Sequence, residues 1–325
     1  MIREKPGQDI WGGPPASLIL LVVLFLSNLC LLYGGGGPKE SALDPVGASS
    51  LKVNVNLVLV NATVTGHHGF VTSLEKGDFR IFEDKVEQTI CQFSNQDLPA
   101  SIGLVVDVSG SMTDKMAQAR EALTTFLKTS NQKDEYFLLT FANRPVMEID
   151  FTPDIASIQN RLVFKRAGGA TTLYDATYLA LNKIKQGHNP KKAILLITDG
   201  EDTASRYSLA DLRDALKESE CQLFVIGILG PSLQEDNLGT NVSDVLTEMA
   251  ETTGGSAFFP TWAEDLPAIC EQIALEIKSE YILGYTPTNL ARDGCWRKIK
   301  VKMHSPNTNL SLSVHAKRGY YAPSH

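Results

Sequence analysis

Ile102-Gly-Leu-Val-Val-Asp107-Val-Ser109-Gly-Ser111-Met112 is the stretch around which the rest of the chain is arranged. Its apolar run, 102–106, has the length and composition of a strand buried on both faces. Behind it Met116, Ala119, Leu123, Phe126 and Leu127 recur at helical spacing, with Lys115, Gln118 and Glu121 between them. A strand that feeds a loop and then a helix is half of an α/β unit, and such folds keep their sites at the strand's carboxyl end. Here that end carries one carboxylate and two hydroxyls at alternate positions. These are hard oxygen donors, suited to Mg²⁺, Mn²⁺ or Ca²⁺ and poorly suited to softer metals. Asp, Ser and Gly after a strand also make ordinary turns and helix caps, so the five residues alone leave both readings open.

Two later stretches add to the first. Gly168-Gly-Ala-Thr171-Thr172-Leu-Tyr-Asp175-Ala176 offers hydroxyls at a Gly-rich bend before a helical pattern. Ala193-Ile-Leu-Leu-Ile-Thr198-Asp199-Gly-Glu201-Asp202 repeats the opening design of apolar run, carboxylate and Gly. With these three loops the sequence resembles the von Willebrand factor type A domain and its metal-ion-dependent adhesion site. The resemblance implies a divalent cation, Mg²⁺ or else Mn²⁺ or Ca²⁺, held by Asp107, Ser109, Ser111, Thr171 and Asp199. Thr172 and Asp202 would stand behind them. Ala170 replaces the further Gly usual before the Thr, which leaves Thr171 and Thr172 in competition, with Thr171 favoured. The implied partner is a protein that presents Asp or Glu to the ion.

The predicted α/β region spans 99–279. Strands are expected at 136–141 and 146–151, joined by so short a link that the second must run antiparallel. Further strands follow at 193–198, 223–228 and 256–260. Helices are expected at 155–164, 173–184, 209–219, 242–252 and 263–279. A doubly wound, Rossmann-like sheet in the order 3-2-1-4-5-6 would put the first and fourth strands side by side, and with them Asp107 and Asp199.

On either side the pattern changes to β. Residues 51–65 alternate, with Leu51, Val53, Val55, Leu57 and Leu59 on one face. Residues 78–83 and 86–93 read as a hairpin in which Lys85 stands where a tight turn prefers Gly. After the α/β region, 281–285, 297–303 and 310–320 are strand-like. The segments 51–98 and 280–325 are each too small to stand alone. They are therefore expected to meet in one β-sandwich-like module into which the α/β domain is inserted. Val53-Asn-Val-Asn-Leu-Val-Leu-Val-Asn-Ala-Thr-Val64, Leu74-Glu-Lys-Gly-Asp-Phe-Arg-Ile-Phe-Glu-Asp84, Tyr281-Ile-Leu-Gly-Tyr285 and Arg318-Gly-Tyr-Tyr-Ala-Pro323 resemble the bacterial, acidobacterial group of such proteins over 51–323.

Residues 1–36 are set apart. An uncharged apolar segment, 17–33, follows Arg3 and Lys5 and precedes four glycines, the layout of a signal peptide or of an uncleaved signal anchor. A polar linker, 37–50, follows. The protein is expected to be exported: periplasmic, on the cell surface or secreted, and touching membrane only through such an anchor. The formal net charge over 325 residues is −7, with no Lys/Arg run, which excludes the ordinary footprint of a nucleic-acid binder. No His-Glu-x-x-His, Gly-x-Ser-x-Gly or Walker pattern is present, and no His lies in the site loops, so an enzyme is not expected. A scaffold stabilised by an ion, and a metal-assisted hydrolase, are the alternatives. Beyond Cys30 the cysteines are Cys91 and Cys295 in the β segments, and Cys221 and Cys270 in the α/β region. Pairing within each region and free thiols are both compatible with that count.

Overall fold

The computed structural model describes residues 57–67, 69–200, 202–229, 242–304 and 312–324. The expected export segment, the linker, residues 51–56, His68, Glu201 and residues 310–311 lie outside the described residues. Among the described residues no helix is long and apolar enough to cross a membrane.

Five short strands come first: β1 (Val58–Gly66), β2 (Gly69–Phe70), β3 (Phe79–Glu83), β4 (Val86–Gln88) and β5 (Ile90–Ser94). The α/β region follows as β6 (Ala100–Asp107), α1 (Met116–Thr129), β7 (Glu135–Phe141), β8 (Pro145–Thr152), α2 (Ile155–Val163), α3 (Leu173–Ile184), β9 (Lys191–Thr198), α4 (Leu209–Glu218), β10 (Gln222–Gly227), α5 (Val242–Thr253), β11 (Ala257–Phe258) and α6 (Leu266–Lys278). The chain closes with β12 (Tyr281–Tyr285), β13 (Trp296–Met303), β14 (Ser313–Ala316) and β15 (Gly319–Tyr321).

The central sheet has the order β11-β10-β9-β6-β7-β8, which is the 3-2-1-4-5-6 arrangement, and β8 alone runs antiparallel. Apolar residues fill both faces of its inner strands because helices cover both. Ile102, Leu104 and Val106 of β6 pack with α1, α2 and α6. Val105 packs on the other face, with residues of α3, α4 and α5. The predicted strand 256–260 contracts to two paired residues. The last helix begins at Leu266, after a single tight turn at Ala263–Asp265.

The flanking strands form the β module. One sheet has the order β14-β1-β12-β5, with β2 on β1, and the other β15-β13-β3-β4. Val60, Ala62 and Val64 of β1, Phe79 and Ile81 of β3, and Tyr281, Leu283 and Tyr285 of β12 share one core with Ile299 of β13. N- and C-terminal strands thus complete each other, the pairing a sandwich needs. β5 leads into the α/β region and β12 leads out, and they are hydrogen-bonded neighbours with Ile282 opposite Ser94. Entry and exit are therefore adjacent, the geometry in which insertion of one domain into another is tolerated.

Three strand expectations need correction. In β1 the inward face is the even-numbered one: Leu59 is 51% exposed, whereas Val60, Ala62 and Val64 are fully buried. Leu57-Val-Leu-Val60 is apolar on both faces, so it carries no parity; Asn61, Thr63 and Thr65 set it. The predicted strand 86–93 divides at Thr89, β4 pairing with β3 and β5 with β12 in the opposite sheet. The β3–β4 turn places Asp84 and Lys85 at φ 45° and 75°, the left-handed region that Gly would occupy at lower cost. The predicted strand 310–320 breaks at Lys317 and Arg318. There the chain passes Gly254, where any Cβ would stand 2.6 Å from the Lys317 nitrogen.

Cys91, Cys221, Cys270 and Cys295 are free thiols. Cys221 and Cys270 belong to the cores on opposite faces of the central sheet, so they cannot meet.

The junction of the two β sheets is polar at one point. Glu83 is buried and accepts from the Tyr285 hydroxyl at 2.7 Å and the Tyr320 hydroxyl at 2.9 Å. Tyr285→Phe is expected to cost about 1–2 kcal/mol in denaturant unfolding. Adding Tyr320→Phe should cost more than the two single changes together, because the carboxyl then loses both donors. Simple additivity would refute a shared role for Glu83 in closing the module.

Candidate functional site

β6 and β9 are parallel neighbours, with Val106 opposite Ile197, so the residues that follow each strand emerge together. Asp107 is fully buried at the end of β6. One of its oxygens accepts from the Ser109 backbone N–H at 2.8 Å and the other from the Thr198 hydroxyl at 2.7 Å. Burial pushes its pKa up, the Ser109 and Thr198 hydrogen bonds oppose that, and the Asp199 charge adds to it. Ser109 Oγ lies 3.0 Å from Ser111 Oγ, and Ser111 Oγ donates to Asp199 Oδ1 at 2.8 Å. The other Asp199 oxygen, Oδ2, is taken by the Lys115 ammonium at 2.7 Å.

The second loop is fastened against the first by backbone bonds. Gly168 N–H donates to Val108 O and Gly110 N–H to Gly169 O, both at 2.9 Å. Gly169 has φ +95°, and a Cβ there would stand 2.7 Å from Asn143, whose side chain accepts from the Ala170 N–H. Only Gly fits that bend. The third loop is fastened to the second in the same way. Thr171 O accepts from the Thr203 and Ala204 N–H groups, and Thr203 Oγ1 accepts from the Thr171 N–H at 2.9 Å.

Asp107, Ser109, Ser111 and Asp199 are thus joined by direct hydrogen bonds or through one another. Thr171 is buried, with its carbonyl and N–H both used by the third loop. Thr172 turns elsewhere: its hydroxyl and its N–H both donate to Ala142 O, in the β7–β8 turn. Asp202 does not reach the cluster; it accepts from Tyr174 N–H and from Ser205, which ties the third loop to the start of α3. Asp175 likewise binds the Arg206 and Tyr207 N–H groups. Both carboxylates shape the loops.

Two participants escaped the sequence reading. Thr198 holds Asp107, and its signal was only its place just before Asp199. Lys115 falls on the polar side of the helical pattern, but it precedes α1 and its ammonium turns back onto Asp199. Two buried carboxylates and two hydroxyls make a donor set of oxygens that is acidic overall, and it already draws one cation, the ammonium of Lys115. The residues fit a hard divalent ion. No group of three or more His, Cys, Asp or Glu side chains is placed to hold a metal among the described residues. A cation site here must therefore combine carboxylates with hydroxyls.

The profile of the von Willebrand factor type A domain matches residues 102–201, the span that contains Asp107, Ser109, Ser111, Thr171 and Asp199. The chain contains a von Willebrand factor type A domain. Among curated relatives, pig inter-alpha-trypsin inhibitor heavy chain H4 is 26% identical over 183 residues, covering 52% of this chain and 19% of that protein. The bovine heavy chain H4 is 23% identical, covering 40% of this chain and 16% of that one. The matched part is therefore less than a fifth of those relatives' length. Of solved structures, a von Willebrand factor type A protein from Catenulispora acidiphila aligns with TM-score 0.47 at 12% identity, covering 83% of this chain and 75% of that one. The A domain of the present chain is the central sheet with its two helical layers. Proteins built on this domain commonly serve in adhesion and protein interaction.

Proposed function

We propose that the A domain binds protein partners through one divalent cation held by Asp107, Ser109, Ser111, Thr171 and Asp199. The observation that supports this is the hydrogen-bonded line Ser109–Ser111–Asp199–Lys115 at the point where β6 and β9 emerge together. A bound Mg²⁺, Mn²⁺ or Ca²⁺ would supply a positive charge that draws a carboxylate of the partner, Asp or Glu, into the loops. The chain's own part is positional. Thr198 and the Ser109 N–H fix Asp107, and Ser111 is aimed by its bond to Asp199. The scaffold alternative gains little support, since Gly110–Gly169, Thr171–Thr203 and Asn143–Ala170 already hold the loops together without an ion. The described histidines, His67, His188, His304 and His315, lie outside the site loops, so a hydrolytic base is not at hand and we read the protein as a binder, not an enzyme. With the apolar segment 17–33 preceding it, the protein would work outside the cytoplasm, free or anchored.

Calorimetric titration of the purified protein with Mg²⁺, Mn²⁺ and Ca²⁺ is expected to give one saturable site; silence with all three would refute the cation reading. Lys115 supplies a second test. Its ammonium and the ion compete for Asp199, so Lys115→Met should raise cation affinity about tenfold and widen the melting shift that the cation produces. Unchanged or weaker affinity would show that Lys115 assists the site instead of competing for it.

A further inference from the structure

We propose that the partner's acidic residue is accompanied, within about four residues along its chain, by a large apolar side chain that seats on Val163 and Phe164. This inference rests on the cation reading above and names the kind of partner that the same site would take.

Val163 ends α2, and Phe164 follows it. They are 60% and 83% exposed. α2 runs antiparallel to α1's direction of travel from the sheet: β8 descends from the carboxyl-end rim, and α2 climbs back to it. Phe164 therefore emerges on the rim that carries Asp107 and Asp199. Four residues farther on, Gly168 N–H bonds Val108 O inside the first site loop. Four residues of chain span at most about 14 Å, which bounds the distance from Phe164 to that loop.

The turn that displays Phe164 is held firmly. Arg120 of α1 donates from Nε to Leu162 O at 3.2 Å and from Nη2 to Lys165 O at 2.8 Å. Lys165 N–H closes the turn on Leu162 O, and the Lys165 ammonium pairs with Glu148. A backbone braced on both sides of Phe164 loses little entropy when something covers the benzyl group. A single exposed apolar residue is ordinary; adjacent ones on a braced turn beside a binding site are not.

The wider rim agrees. Among the described residues, the exposed large apolar side chains of the A domain gather at this end, as Val146, Val163, Phe164, Tyr207 and Trp262, against Leu179 and Leu275 elsewhere. Charge on the α2 side matches an acidic segment. Arg144 and Arg166 are exposed on these loops, although the whole chain carries −7. An acidic residue alone would use the arginines and the cation; the apolar pair adds discrimination between acidic segments, because aromatic anchors next to a polar contact dominate interface energetics.

The test uses synthetic ten-residue peptides with one Asp in a Gly/Ser background, compared with the same peptides carrying one Leu within four residues of the Asp. Binding to the full chain is read by fluorescence anisotropy in Mg²⁺ and in EDTA. The Leu peptides are expected to bind about tenfold tighter in Mg²⁺. The combined change Val163→Ser, Phe164→Ser should erase that advantage while leaving Mg²⁺ affinity and binding of the Leu-free peptide unchanged. Both side chains are exposed, so the fold is not at risk. An advantage that survives the double change, or no advantage in the wild type while Mg²⁺ still binds, overturns this inference alone. Absence of Mg²⁺ binding overturns the cation reading and this inference with it.

Discussion

Asp107→Ala is expected to abolish saturable binding of Mg²⁺, Mn²⁺ and Ca²⁺, with at least a hundredfold loss of affinity by calorimetry. The side chain is fully buried at the end of β6, so no neighbour can swing in to replace it. Its two oxygens are already aimed, one by the Ser109 N–H and one by the Thr198 hydroxyl. Removing a group that merely orients a ligand typically costs 10–100-fold in metal affinity, and removing the charged ligand should cost more. Alanine also strips two donors of their acceptor and opens a small cavity, so a loss of binding could reflect a damaged loop. Asp107→Asn separates the two causes. It keeps one oxygen acceptor for the Ser109 N–H, fills the same space and removes the charge, while its amide NH2 can donate to the Thr198 hydroxyl. Without metal, that variant should melt within a few degrees of wild type, because a buried charge next to Asp199 is itself costly. If Asp107→Asn binds the cation as tightly as wild type does, Asp107 is not a ligand, and the line of oxygens through Ser109, Ser111 and Asp199 is only a loop-holding network.

The parts of this architecture that were legible in the sequence are those where one physical demand acts alone. Residues 102–106 and 193–197 carry no polar side chain because both faces of their strands are covered, so their identity needs no periodicity. α3 was read at Leu173–Ile184, its observed bounds, since its apolar spacing begins directly after the Thr172 turn. The sheet order followed from the short link 142–145 and from the doubly wound rule, and it brought Asp107 to Asp199. What escaped depends on contacts between distant segments. The face of β1 was misjudged because Leu57 to Val60 is apolar on both sides, and only the opposing sheet decides which side is inward. The break at Thr89 exists because β4 and β5 serve different sheets. Lys115 was invisible as a site residue because its role requires the β6–β9 juxtaposition, which sequence spacing from α1 does not report. The separation of Cys221 from Cys270 likewise follows from which face of the sheet each one meets.

Glu276→Gln should flatten the dependence of stability on pH between about 5 and 8. Glu276 lies on α6 with 3% exposure, and it accepts a long hydrogen bond, 3.4 Å, from Ser256 Oγ. Burial pushes its pKa up from 4.5 to about 7. A carboxyl with a raised folded pKa is protonated in the folded state while the unfolded chain has already released its proton. Its contribution is thus fully present below about pH 4.5 and is lost as pH rises through 7. The shift corresponds to roughly 3 kcal/mol across that window at about 1.4 kcal/mol per pH unit. Two neighbours at the base of the A domain act with the same sign. Glu280, on the link between α6 and β12, is pushed up to about 8 by burial despite the Lys191 charge. Asp134 is raised to about 6 by burial against the pull of the Ala100 and Asn131 N–H groups. Lys191 works in the opposite sense: burial lowers its pKa, so its contribution recovers as pH climbs toward 10.5. Its ammonium meanwhile caps α6, donating to Ile277 O at 3.0 Å and Lys278 O at 2.9 Å. Glutamine at 276 keeps the shape of the protonated acid and cannot ionise. The variant should therefore match wild type near pH 5 and exceed it by about 2–3 kcal/mol at pH 8 in denaturant unfolding. Some slope should remain in the variant, from Glu280 and Asp134. Parallel curves for the two proteins would mean that Glu276 is charged in the fold at neutral pH. Such a carboxylate, buried on α6 beside Glu280, would need the Lys191 charge that already works against the rise at Glu280.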